Sequence, residues 1–196
     1  MQETDSGTGS NRTQSTASQP VRAIQDIKNI SDIQKEYVAI QAKLAAGSMD
    51  STSFNYNCHN ETSGRVTYFF EGRNLRVVKQ VYNEYDHFSA KDYYYLKDDS
   101  LIFVLYDRLT WSFDSDAGGQ DATKDEITES RYYIINNKFA NCLQKKFTVR
   151  SSSPNNPNTE TVPNKKVNCS SFQPVYNKLK LLVRFKTNIR DTTCLE

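Results

Sequence analysis

Two histidines, four cysteines and a few carboxylate pairs are the residues of this chain with the types to do chemistry. Cys58-His59 could begin a copper or zinc site, but neither histidine has a second ligand at metal spacing. His87, in Glu84-Tyr85-Asp86-His87, has the neighbours of a general base, yet the stretch reads first as a hairpin loop in which His87 is solvated or bonded to Asp86. Asp98-Asp99 and the Asp114/Asp116 pair stand in turn-forming surroundings, where carboxylates bond local backbone before they do acid–base work. A hydrolase would need two such groups on facing strands, some 5 to 10 Å apart. Serine elbows and glycine-rich phosphate loops are lacking, and Gly118-Gly119 has no helix after it. The expectation is a non-enzymatic chain without catalytic, cofactor or metal residues.

Cys58, Cys142, Cys169 and Cys194 are an even set without C-x-x-C spacing, which favours disulfides over zinc or redox chemistry. Of three pairings, Cys142 with Cys169 closes the loop between them, and Cys58 with Cys194 ties the C-terminus to the start of the sheet. For binding, Trp111, Tyr82, Tyr85, Tyr93, Tyr95 and Arg108 have the side chains that recur at contact hot spots. Their competing role is core or sheet-face packing.

These residues are carried by a unit written three times: an aromatic triplet, four turn-prone residues, then a large apolar residue. The copies are Tyr68-Phe69-Phe70 with Leu75, Tyr94-Tyr95-Leu96 with Leu101, and Tyr132-Tyr133-Ile134 with Phe139. Such units are successive hairpins of an antiparallel meander, expected over 53–150. Leu101 to Tyr106 is apolar on both parities, the mark of a central strand covered on both sides. From Phe139 the chain alternates, with Phe139, Leu143, Phe147 and Val149 facing one way and Cys142, Gln144, Lys146 and Thr148 the other, wet, way. Lys145-Lys146 would discourage pairing at an edge. Asp114 to Glu129 and Ser151 to Lys166 read as long surface excursions.

Before the meander, Ile24, Ile27, Ile30, Ile33, Tyr37, Ile40 and Leu44 recur at helical spacing, predicting a helix over 31–46 with an earlier piece from 22. Ser31 with Gln34 suggests its capping box and Gly47 its stop. Phe172, Val175, Tyr176, Leu179, Leu182 and Val183 predict a second helix, capped by Ser170 or Ser171 with Pro174 in its first turn; a strand over 179–185 is the competing reading. The fold class expected is α+β: one twisted antiparallel β-meander sheet, open or barrel-like, with an N-terminal helix packed on it and a short C-terminal helix.

The chain has 196 residues, and its 25 basic and 23 acidic side chains are interspersed, which gives no reason to expect a nucleic acid partner. No run approaches the ~20 apolar residues of a membrane helix. Residues 2–20 are almost wholly polar and small, a tether of about 20 to 25 Å reach. We therefore expect a disordered tether over 1–20 and a single domain over 21–196; Met1 is either a native cytosolic start or an addition after loss of a signal peptide, and the tether and cysteines favour the second, an exported chain with room for a lipid anchor upstream of residue 1. The partner expected is a protein, a glycan or a small molecule. Asn11, Asn29, Asn60 and Asn168 match N-x-[ST], a pattern frequent by chance in a chain this rich in Asn, Ser and Thr.

Arg65-Val66-Thr67-Tyr68-Phe69, Leu75-Arg76, Tyr85-Asp86-His87-Phe88-Ser89-Ala90, Leu101-Ile102-Phe103-Val104, Trp111-Ser112-Phe113-Asp114 and Cys142-Leu143-Gln144-Lys145-Lys146 resemble a family of uncharacterised exported or lipid-anchored proteins of Bacteroidetes-type bacteria. Tyr37-Val38-Ala39-Ile40 fits the same family. The resemblance implies a periplasmic or outer-membrane address and no particular activity. A second resemblance, in the cysteine spacing, the Cys194-Leu195-Glu196 ending and the helix, meander, helix order, is to the secreted lipocalins of tick saliva. It implies an extracellular, eight-stranded barrel that traps a small ligand. The chain departs from that family in lacking a tryptophan at the barrel's opening strand, and its aromatic triplets are not the family's signature.

Overall fold

The computed structural model describes residues 26–116, 121–187, 190 and 194–195. The expected tether and the helical piece over 22–25 lie outside the described residues. Helix α1 spans Ile30–Ala45, and seven long strands follow: β1 Asp50–Cys58, β2 Thr62–Glu71, β3 Asn74–Glu84, β4 Phe88–Lys97, β5 Ser100–Phe113, β6 Thr123–Ile135 and β7 Lys138–Arg150. A two-residue β8, Lys165–Lys166, and helix α2, Phe172–Arg184, complete the fold. The sheet is an antiparallel meander in the order β1 to β8. It is not closed. Among the described residues no ladder joins β1 to β7 or β8, so the barrel that a lipocalin requires is not formed.

The three aromatic units build the meander in the same way. Asp98 and Asp99 have φ of 47° and 59°, and Asn136 and Asn137 have φ of 51° and 57°, the paired left-handed residues of two-residue hairpin turns. The first unit uses Gly72, at φ 60°, for its turn. In each unit the register slips between the second and third residues of the triplet: Phe69/Phe70, Tyr95/Leu96 and Tyr133/Ile134. The extra residues are Arg76, Ile102 and Ala140. Each bulge turns the apolar residue after the turn onto the face of the triplet's first and third residues.

That bulge corrects the expected parity of β7. Phe139 pairs with Ile134 and Cys142 with Tyr132, so Phe139 shares a face with Cys142, and Cys142 is fully buried. β8 pairs with β7 only at Leu143 and Gln144, short of Lys145 and Lys146. The first excursion is also shorter than expected, because Thr123 to Glu129 pair with β5 and β7 as the first half of β6. A polar sequence becomes strand there because both neighbours supply its backbone partners.

Each face of the sheet carries one helix. α1 is capped two residues earlier than expected, by Asn29 and Asp32 acting reciprocally, and it stops at Gly47 with φ 61°. Its Ile33 and Ile40 pack on Val77, Tyr95, Ile102, Phe103 and Tyr133. Tyr37 meets Tyr95 and Phe103 edge-on at 5.1 and 5.3 Å. α2 is capped by Ser171, and the strand reading for 179–185 is not realised. Val175, Leu179 and Leu182 cover the opposite face over Tyr68, Leu75, Tyr94 and Leu96. Its ends reach the outer strands: Phe172 lies 5.5 Å from Phe139 of β7, and Phe185, just past the helix, lies 5.4 Å from Phe54 of β1. With helices on both sides, Ile102, Phe103 and Val104 of β5 are buried on both parities, as their sequence requires.

The disulfides are Cys58–Cys194 and Cys142–Cys169, the pairings expected. They indicate an oxidising, extracytoplasmic environment. No described helix is long and apolar enough to cross a membrane.

Candidate functional site

Beyond the apolar patch under α2, the same sheet face turns polar while remaining buried. The register aligns Val66, Gln80, Asp92, Tyr106 and Ser130 in one row across β2 to β6. The next row aligns Tyr56, Gly64, Tyr82, Ala90 and Arg108 across β1 to β5. Gln80 and Asp92 are each 1% exposed, and Tyr82 and Tyr106 are each 8% exposed.

Gly64 makes the second row geometrically feasible. A Cβ at that position would come within 2.4 Å of the Val81 carbonyl oxygen, 2.7 Å of Tyr82 Cβ and 2.8 Å of Tyr56 Oη. The absent side chain leaves the space in which Tyr56 Oη accepts a 2.6 Å hydrogen bond from Gln80 Nε2. Arg108 donates to Asp92 Oδ2 at 3.1 Å, and Tyr82 Oη donates to the same oxygen at 3.5 Å. The guanidinium of Arg108 stands 4.4 Å over the Tyr106 ring, whose hydroxyl lies 3.2 Å from Tyr94 Oη.

Among the described residues, three buried polar atoms of this cluster have no hydrogen-bond partner: Gln80 Oε1, Asp92 Oδ1 and Arg108 Nε. A buried polar atom left unpaired costs about 1 to 3 kcal/mol. The cluster therefore contains two acceptors and one donor that no described residue satisfies. Its charge is balanced internally, since the Asp92 carboxylate is bonded to the Arg108 guanidinium. Burial pushes the Asp92 carboxyl above its ordinary value, and Arg108 pulls it back only in part. Burial works against the charge on Arg108, but Asp92 holds that group above its usual range. Lys178 approaches from α2; burial lowers it, opposed by Asp92 and Glu84. Burial also pushes the Tyr56 and Tyr106 hydroxyls up to about 12. The Arg108 side chain is 40% exposed against 2% for Asp92, so solvent reaches the cluster past Arg108.

Of the residues singled out from sequence, only Tyr82 and Arg108 belong to this cluster. Tyr93 and Tyr95 lie on the other face, where Tyr95 is core under α1 and its hydroxyl accepts from Gln41 at 2.8 Å. Tyr85 and Trp111 line the same groove, of about 540 Å³, at the far end of the sheet. There Trp111 Nε1 donates to the Asp86 carbonyl at 2.6 Å, and its ring lies 4.0 Å from His87. His87 is thus paired with Trp111 rather than with Asp86. Cys58, His59 and Cys194 are close together, but both sulfurs are committed to the disulfide and cannot serve as thiolate ligands. Asp114 is buried against Arg150, which holds its carboxyl below the usual range.

Gln80, Asp92, Tyr56, Tyr94 and Tyr106 escaped sequence reasoning. A signal existed: Gln80 stands between Val78 and Tyr82, Asp92 between Ala90 and Tyr94, and Arg108 two residues beyond Tyr106, each sharing the parity of a buried face. Searches of family models, curated proteins and solved structures find no match to this chain.

Proposed function

We propose that this protein is an exported, non-enzymatic binding module that takes a small ligand at the Gln80–Asp92 cluster. The carrying observation is the pair of unpartnered acceptors, Gln80 Oε1 and Asp92 Oδ1, on directly opposed residues of one buried face. A structure that keeps such atoms unpaired gives up stability, and a site that a ligand completes recovers it on binding. One carboxylate bonded to one guanidinium is a recognition device, not the facing acid pair of a glycosidase. The disulfides and the polar N-terminal stretch support an envelope-tethered or secreted address, with residues 1–20 as the tether. Small-ligand capture is also what the lipocalin resemblance implies, here on an open sheet closed over by α2.

A thermal-shift screen of small polar compounds tests this reading, with each stabilising compound re-measured on Gln80→Leu. Compounds that act through the cluster stabilise the wild type and not the variant. If every hit stabilises both proteins equally, the cluster is not the site.

A further inference from the structure

The groove that Tyr85 and Trp111 line is separate from the Gln80–Asp92 cluster. Its floor is one register row, Ser63, Asn83 and Ser89 across β2 to β4, and strand alternation puts that row on the sheet face opposite Gln80 and Tyr82. Ser63 and Asn83 are exposed and Ser89 is half-buried, so their hydroxyl and amide groups face open space. Glu61 and Asp86 add two exposed carboxylates, and no lysine or arginine is among the described residues that line the groove. At about 540 Å³ the space is within the ~300 to 1,000 Å³ of small-molecule sites.

The rings at its rim are held in place. The Tyr85 N–H donates to the Glu61 carbonyl at 2.8 Å, which ties the β3–β4 turn to the β1–β2 turn. Trp111 is fixed to the β3–β4 turn by two bonds, from its N–H to the His87 carbonyl at 2.9 Å and from Nε1 to the Asp86 carbonyl at 2.6 Å. Tyr85 sits at φ 51°, a backbone region that a bulky side chain seldom adopts, and its ring is 69% exposed. Phe113, 66% exposed, meets Trp111 edge-on at 5.7 Å and carries the ring surface beyond the groove. Core packing explains neither exposed ring, whereas rigid aromatic surface set in advance lowers the ordering cost of binding.

We infer that this groove binds a neutral oligosaccharide. The C–H face of a sugar ring is apolar and packs on Tyr85 and Trp111. Its hydroxyls, each both donor and acceptor, bond the Asn83 amide, the two serine hydroxyls and the carboxylates of Glu61 and Asp86. Those carboxylates repel an acidic sugar. An open groove whose rings continue to Phe113 suits a chain of sugars rather than one enclosed molecule.

Trp111 is the only tryptophan of the chain, so its fluorescence reports the groove. Three neutral trisaccharides, maltotriose, cellotriose and triacetylchitotriose, are titrated into the intact disulfide-bonded protein alongside acidic trigalacturonate and the cationic, deacetylated chitosan trimer. At least one neutral probe is expected to shift Trp111 emission saturably and to bind at least ~10-fold more tightly than trigalacturonate. That probe should lose at least ~10-fold in affinity on Tyr85→Ala, or on Asn83→Ala if the first variant fails to fold. Trigalacturonate binding as tightly as the neutral probes overturns the ligand class, and so does a chitosan trimer that outbinds triacetylchitotriose and loses that advantage in high salt. No saturable shift with any neutral probe, or a shift that neither variant weakens, overturns the site.

Discussion

Gln80 and Asp92 are direct cross-strand partners on β3 and β4, and each carries a buried oxygen without a hydrogen-bond partner among the described residues. Side by side, they form a double acceptor in a place where chains of this size ordinarily bury Val or Leu. The surrounding phenols, guanidinium and helix hold the pair in position without satisfying it. The predictions that follow test this arrangement and the fold around it.

Asp92→Asn removes an incompletely satisfied buried charge and leaves Arg108, already 40% exposed, free to hydrate. Stability at neutral pH is expected to be unchanged or raised by up to ~1 kcal/mol. Because burial raises the native pKa of Asp92 above the unfolded value of 3.8, the native state holds the proton to higher pH. Wild-type stability relative to Asp92→Asn should therefore fall as pH rises above about 4 through the native pKa, then level off. Urea denaturation across that range checks it; a relative gain with rising pH would mean a depressed pKa and a fully satisfied carboxylate.

Gly64→Ala forces a Cβ against backbone and against the Tyr56 hydroxyl. A loss of about 1 to 3 kcal/mol is expected in chemical denaturation. Any ligand that depends on Gln80 should weaken in parallel, because displacing Tyr56 frees Gln80 Nε2 from its 2.6 Å bond.

The alkaline limb tests burial of the phenols. Tyr56 and Tyr106 are held up to about 12, so the unfolded chain loses those protons near 10 while the native one keeps them. Unfolding then releases protons above pH 10, and stability should fall as pH climbs from there. Phe substitutions at both positions should flatten that fall.

Asn137→Gly places glycine at a turn position with φ 57°. A gain of about 0.5 to 1 kcal/mol is expected, since the turn already demands a conformation that favours glycine. A loss would mean that the Asn137 side chain contributes more than its backbone costs.

Loop closure separates the two disulfides. Cys142–Cys169 spans 27 residues and Cys58–Cys194 spans 136, so chain entropy assigns them about 3.5 and about 5 kcal/mol. Paired Cys→Ala variants compared by urea denaturation should follow that order.

The meander and both disulfides were legible because their signals are local or positional. Asp98-Asp99 and Asn136-Asn137 announce their turns, and the isoleucines of α1 announce its buried face. The bulges were not legible, because nothing in Tyr133-Ile134 shows which strand gains the extra residue; Phe139 was consequently assigned to the wrong side. The polar cluster was harder still. Asp92 follows Lys91 and reads as a solvated charge pair, and only the register shows that it lies between Gln80 and Tyr106. Closure of that face by α2 joins residues more than a hundred positions apart, as in the 2.6 Å bond from Tyr68 Oη to the Leu182 carbonyl, and no local pattern encodes such a contact.

Native mass spectrometry of the protein isolated without denaturation from the cells that make it tests the central claim most directly. The account predicts that the wild type carries a small molecule in 1:1 ratio and that Gln80→Leu, isolated identically, carries none. A wild type at the mass of the bare disulfide-bonded polypeptide, or a bound molecule retained equally by Gln80→Leu, would contradict it.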